Sequence, residues 1–184
     1  MKHNLKASYL NVCLRPLDKN DIENLRVWRN DKDATKYLRQ IPYITPEMQA
    51  KWYENYLTQN DQITFAIDET NTLNKMVGSV SLYDITDTQA EFGRIQIGEK
   101  EAHGKGIGKL ATIIILYIGF CKLNLTKIIA TVNKQNAPAC KIYFNVGFKI
   151  VGEHSTPNGD EYDIEIDFST LKEKYQDILD KIVL

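Results

Sequence analysis

Apolar side chains along this chain change their spacing where strands give way to helices. Ile95 and Ile97 alternate with Arg94 and Gln96 at the two-residue period of a strand, whereas Ile107, Leu110, Ala111, Ile114, Ile118 and Cys121 recur at helical spacing. Gly104, Gly106 and Gly108 lie between the two patterns, so the period changes inside a glycine-rich loop. The same reading predicts strands over residues 10–15, 63–67, 76–83, 90–98, 127–132, 148–152 and 162–168, with polar turns at 68–75 and 84–89 that join the second to fourth as an antiparallel meander. Helix starts are marked by caps. Asp18 precedes a segment in which Leu17 and Ile22 form a hydrophobic staple and Leu25 and Trp28 share a face. Thr45 before Pro46 opens a helix striped by Met48, Trp52 and Tyr56. Asn136 caps a helix carrying Ala139, Ile142, Tyr143 and Val146, and Gly147 ends it. Ser169 opens a C-terminal helix over 169–183 with Leu171, Tyr175, Ile178, Leu179 and Ile182, a face that covers the sheet or meets a second copy. The sum is an α/β chain with a mixed sheet of about seven strands, read as one domain over 1–184.

Composition narrows the partners more than the fold. The chain has 184 residues, 43% hydrophobic and 26% charged, ordinary values for a globular domain with a sizeable core. Its 23 Lys and Arg against 24 Asp and Glu leave a net charge of -1, which draws it toward neither nucleic acid nor an anionic membrane. Cys13, Cys121 and Cys140 are widely spaced, with no CxxC pair and no Cys/His cluster, so reduced thiols are expected and no zinc site. The first residues lack an apolar signal core and the apolar stretch 113–120 is too short to span a bilayer, which places the chain in the cytoplasm.

The glycine loop carries the chemistry. Gly104, Gly106 and Gly108 let backbone N–H groups converge without side-chain obstruction, and the helix that follows adds the positive end of its dipole, so a phosphate-bearing ligand fits. A nucleoside-triphosphate loop requires Ser or Thr after Gly-Lys, and Gly108-Lys109 is followed by Leu110. A dinucleotide loop requires an acidic residue about twenty positions on, where this chain has the apolar strand 127–131.

His103-Gly104-Lys105-Gly106-Ile107-Gly108 resembles the acetyl-CoA motif of the GNAT superfamily of N-acetyltransferases, with His103 where the family has Arg or Gln. A second segment, from Asn136 and Ala137 through Tyr143 to Gly147-Phe148, is similar to the family's downstream signature, and Ala90-Glu91-Phe92-Gly93 stands before the cofactor strand. The resemblance covers about 10–168. It implies a GNAT fold, splayed beside the cofactor strand, with acetyl-CoA as co-substrate. It implies cofactor contacts from Ile95, Gln96 and Ile97 along the acetyl-pantetheine arm, from His103, Gly104, Lys105, Gly106, Ile107, Gly108 and Lys109 in the loop, and from Asn136. Tyr143 matches the tyrosine that protonates the departing thiolate, an assignment to weigh against a plain core tyrosine. Glu91 is the candidate base for a substrate ammonium, directly or through water, against a salt-bridged strand glutamate.

The acceptor is less determined. Trp28 and Arg29, the helix entry at Thr45-Pro46 with Trp52, and Glu91-Phe92-Gly93 resemble a branch that acetylates nucleotide-linked amino sugars, with Trp28, Arg29 and Glu91 as substrate contacts and Arg29 or Arg39 on a diphosphate. Neighbouring branches acetylate ribosomal-protein N-termini, the second reading, or spermidine, the third, since Asp31 and Asp33 are only a small acidic group. A non-catalytic acyl-CoA-binding module is the alternative outside enzymes.

Overall fold

The computed structural model describes residues 3–37 and 41–184. Side-chain alternation builds a two-faced sheet. On β3 (Ile63–Glu69), Ile63, Phe65 and Ile67 are inaccessible to solvent and join the main core, while Ala66 turns to a smaller core with Leu17, Tyr56 and Met76. Eight strands form one sheet in the order β1-β2-β3-β4-β5-β6-β8-β7. They are β1 (Ala7–Tyr9), β2 (Val12–Pro16), β3, β4 (Lys75–Tyr83), β5 (Gln89–Ile97), β6 (Lys127–Asn133), β7 (Lys149–Thr156) and β8 (Gly159–Asp167). Every neighbouring pair is antiparallel except β5 and β6. That parallel pair needs a crossover, supplied by helix α3 (Ile107–Lys122), whose Ile113, Ile114, Ile115 and Leu116 are fully buried in the main core. Helices α1 (Ile22–Asn30) and α2 (Pro46–Thr58) cover the smaller core, where Leu25, Trp28, Trp52 and Tyr53 pack.

The expected caps are present. The Asp18 carboxylate accepts from Asn20 N at 2.8 Å and Asp21 accepts from Asp18 N at 2.7 Å, a capping box that starts a 3-10 turn running into α1. Thr45 Oγ1 accepts from Met48 N at 3.3 Å to open α2. Asn136 Oδ1 accepts from Ala139 N at 3.2 Å to open α4 (Ala137–Val146), and Gly147, at φ 122, ends it.

Three expectations are corrected. The sheet has eight strands, because the region expected as one strand over 10–15 is preceded by β1 and turns at Leu10 (φ 52) into a hairpin. The last helix, α5 (Phe168–Leu179), is capped by Asp167, which accepts from Thr170 N at 2.7 Å, and not by Ser169. It stops before 183: the chain turns back and Val183 bridges to Ser8 at the β1 edge. Leu179 is buried in the chain's own main core, and the half-buried Ile178 and Ile182 pack against it. The three cysteines are free, as expected. Among the described residues no helix is long and apolar enough to cross a membrane.

Candidate active site

The sheet opens where the parallel pair ends. β5 and β6 pair only from Gln89↔Lys127 to Glu91↔Ile129; beyond that, β5 pairs with β4 alone and β6 with β8 alone. Opposite the opening, β4 and β5 shift register between Ser79/Ser81, where two steps on β4 match three on β5. The extra residue falls at Arg94, which takes a left-handed φ of 51. This bulge resets the alternation: Phe92 before it and Ile95 and Ile97 after it all join the main core, although Ile95 is an odd three positions on from Phe92. The splay expected beside the cofactor strand is thus a loss of pairing on one edge and a bulge on the other. Both leave backbone N–H and C=O groups of the strand without sheet partners.

A cleft of about 870 Å³ occupies the opening, bounded by α1, α2, β3, β4, β5, β6, β8 (Glu161) and α4 (Ala137–Val146). Tyr143 projects into it from α4. Its ring is buried edge-on to Phe92 at 5.3 Å and tilted against Phe148 at 5.8 Å, and burial, aided by the neighbouring Cys140, pushes the phenol well above its ordinary value of 10.0. Tyr143 therefore stays protonated throughout the neutral range. Asn136 also lines the cleft, with its Oδ1 used as a helix cap.

Glu91 stands one layer back. The cleft wall is formed instead by its cross-strand partner Tyr83, whose hydroxyl donates to Glu91 Oε1 at 2.7 Å. Burial and that bond raise the Tyr83 phenol far above its ordinary value, against the pull of Arg94, whose guanidinium lies 4.2 Å from the ring centroid. Arg94 Nη1 also donates to Gln62 Oε1 at 2.6 Å. A carbon added at Gly93 would lie 2.9 Å from the Tyr83 hydroxyl, so the glycine makes room for that group. Neither Tyr83 nor Arg94 was among the residues expected at the site. The phase change from Phe92 to Ile95 is the sequence signal that marks the bulge and, with it, Arg94.

The glycine loop follows β5 by way of a short turn at Lys100–Ala102. Gly104 and Gly106 have φ values of 73 and 76, and a carbon added at either would meet no atom within 4 Å. The loop runs straight into the N-terminus of α3, whose opening amides have no partner within the helix. Gly106 is the N-cap and Ile107, Gly108 and Lys109 open the helix, a backbone arrangement whose size and charge suit a diphosphate. Two of the loop's side chains make contacts within the chain. His103 Nε2 donates to the Ile97 carbonyl at 2.8 Å, and the Lys109 ammonium lies 5.0 Å from the Tyr175 ring centroid on α5. Lys105 is exposed.

Of the expected acceptor contacts, Arg29 lines the cleft, and burial together with the positive charge of Arg94 lowers its pKa. Trp28 does not line it. The indole fills the space beside Gly98, where an added carbon would come within 2.0 Å of the ring, and the Trp28 carbonyl accepts from Gln96 Nε2 at 2.9 Å. Trp28 therefore clamps α1 to the end of β5. Arg39 lies outside the described residues.

This geometry matches the comparisons with known proteins. The profile of the acetyltransferase (GNAT) domain matches residues 11–149, and the chain belongs to that family. It is accordingly an N-acetyltransferase with acetyl-CoA as co-substrate. The chain is similar to the spermidine N(1)-acetyltransferase of Escherichia coli (strain K12), 28% identical over 144 residues that cover 77% of this chain and 75% of the relative. It is similar to an N-acetyltransferase 9-like protein of Caenorhabditis briggsae, 23% identical over 165 residues, 84% of this chain and 83% of that one. In fold it resembles the spermidine N-acetyltransferase of Vibrio cholerae solved with CoA and spermine, with a TM-score of 0.80, 24% identity, and coverage of 88% of this chain and 98% of that one.

Proposed function

We propose that this enzyme transfers the acetyl group directly to the primary amine of a small molecule that also carries negative charge, a nucleotide-linked amino sugar being the class that fits. One observation carries this reading: among the described residues lining the cleft, the charged ones are Arg29, Arg94 and Glu161, two cations against one carboxylate. A polyamine site would reverse that balance. Guanidinium groups suit phosphate oxygens, and a bound anion would relieve the mutual repulsion of Arg29 and Arg94.

Acetyl-CoA supplies an acetyl group already activated as a thioester. The chain's part is to bind, orient and move protons. The loop from His103 to Lys109 holds the diphosphate by backbone N–H groups. The unpaired edge of Ile95, Gln96 and Ile97 lies along the pantetheine amides as an added strand would, and Asn136 borders that arm. Tyr143 delivers a proton to the departing sulfur, and Glu91 receives the one the ammonium loses.

A second reading is acetylation of spermidine, favoured by the likeness to the Escherichia coli and Vibrio cholerae enzymes. Release of CoA thiol from acetyl-CoA, measured against 4-amino nucleotide sugars, spermidine and peptides with free N-termini, separates the two. Turnover of the nucleotide sugar above the others supports the proposal, and turnover of spermidine alone refutes it. Arg29→Gln sharpens the test. A hydrogen bond to a charged group contributes about 1.5–3 kcal/mol, so kcat/KM for the anionic acceptor falls ~10- to 150-fold while that for spermidine holds or rises.

A further inference from the structure

We infer that Tyr83 is a catalytic residue, the group that meets the acceptor amine and relays its proton to Glu91. The inference rests on the acetyltransferase reading above and deepens it. Tyr83 lines the cleft, its hydroxyl stands over the space that Gly93 leaves open, and its proton is already shared with Glu91 Oε1 at 2.7 Å. Glu91 is absent from the described cleft lining, so a proton bound for it passes through this phenol.

The transfer balances. The acceptor ammonium gives a proton to Tyr83 Oη as the phenol's own proton moves to Glu91; the amine is left neutral with its lone pair free, the phenol is restored, and the carboxylate becomes a carboxylic acid. Partial negative charge on Oη during this exchange faces the Arg94 guanidinium, 4.2 Å from the ring centroid, which stabilises it through the ring. The bulge is what makes this possible, because the left-handed turn at Arg94 lays its guanidinium over Tyr83. The charged groups acting on Tyr83 are Glu91 and Arg94 from β5 and Asp84 beside it in the chain, with Arg29 from α1 acting on Arg94; the α2 side presents the uncharged Gln59 and Gln62.

The test compares wild type, Tyr83→Phe, Glu91→Gln and the double variant at saturating acetyl-CoA between pH 6.5 and 9.5. Thiol release is followed with the alkylamine that wild type uses best in the panel above and with methoxyamine, which is neutral at pH 7. The relay predicts that each single variant loses ~10²-fold at pH 7 with the alkylamine and that the double variant loses no more than the worse single. The deficit shrinks about tenfold per pH unit as the free amine accumulates, and rates with methoxyamine stay within about threefold of wild type. Acetyl-CoA affinity and Tm stay unchanged, which a merely structural role for Tyr83 would move. A Tyr83→Phe rate within threefold of wild type at pH 7 overturns the relay. So does a loss that persists at pH 9.5 and with methoxyamine, which would make Tyr83 a positioning residue. A wild-type protein silent with every amine sinks the acetyltransferase reading itself, a different failure.

Discussion

Tyr143→Phe removes one oxygen and nothing else from the wall of the cleft. The ring keeps its edge-on contact with Phe92 at 5.3 Å and its contact with Phe148 at 5.8 Å, since both are ring-to-ring. No described residue is bonded to the Tyr143 hydroxyl, so no partner is stranded and stability should change by less than about 0.5 kcal/mol. The catalytic loss is larger. A positioned general acid contributes ~10²–10⁴-fold. Two features put this site at the lower end of that range: a thiolate leaves with little help, a free thiol having a pKa near ~8.5, and burial weakens the phenol as an acid by pushing it above 10.0. A fall of ~10² in kcat, about 2.7 kcal/mol, is therefore expected with acetyl-CoA affinity unchanged. The sign of the pKa shift adds a second reading: a phenol raised above its ordinary value stays protonated, so wild-type kcat shows no alkaline loss from this group below about pH 10. The assays are thiol release, calorimetric titration of acetyl-CoA and a thermal melt. A kcat within threefold of wild type would refute the acid role, as would an affinity loss equal to the rate loss, which would return Tyr143 to the core.

Gly106→Ala introduces a side chain at φ 76 into open space, costing about 1–2 kcal/mol of backbone strain and hence roughly 2–8 °C in Tm; acetyl-CoA affinity should fall at least ~10-fold by calorimetry, and unchanged affinity would reject the cradle. Gly98→Ala drives a carbon into the Trp28 ring, so overpacking of about 1–3 kcal/mol should lower Tm and shift tryptophan emission; an unaltered melt would mean that α1 is not clamped there. Glu69, buried and accepting from Asn11 Nδ2 and from the amides of Asn71, Thr72 and Leu73, is held at a pKa of about 2, below its ordinary value of 4.5, first by the Leu73 amide. A depressed carboxyl stabilises above its unfolded value, so the stability difference between wild type and Glu69→Gln should be complete above pH 4.5 and shrink as pH falls toward 2. A difference that persists undiminished at pH 2 would exclude this linkage.

Local periodicity was enough for the first four helices, because caps and stripes are set within one or two turns, whereas the last one starts from Asp167 and ends at Leu179. Asp18, Thr45 and Asn136 cap as read, and the glycine loop meets α3 as read. What local reading missed depends on which strands pair and for how far. Glu91 seemed to face the substrate because it sits on the cofactor strand, yet its neighbour across β4 is a tyrosine, a pairing known only once register is known. Trp28 beside Arg29 looked like a pair of acceptor contacts, but adjacent helical positions point apart, and only Arg29 reaches the cleft. The bulge was legible and unread: strict alternation from Phe92 would put Arg94 and Gln96 in the core and Ile95 and Ile97 outside it, and only an extra residue restores the apolar face.

The opening between β5 and β6 needs a physical reason to persist, because unpaired strand edges tend to zip together. Packing supplies it. Phe92 from β5, Tyr143 from α4 and Phe148 beyond α4 form a mutual ring cluster, with centroid separations of 5.3, 5.8 and 5.8 Å, lodged where the strands part. The ring of Tyr143 is thus a wedge as well as the carrier of the hydroxyl. Truncation to alanine would remove a buried aromatic at a cost of about 3–5 kcal/mol and let the edges approach, closing the pantetheine groove along with removing the acid. Tyr143→Ala should therefore lose acetyl-CoA affinity and stability together, where Tyr143→Phe loses turnover alone. If the alanine variant bound acetyl-CoA as tightly as wild type, the opening would have to be held by β4 and the bulge at Arg94, and the wedge would be wrong.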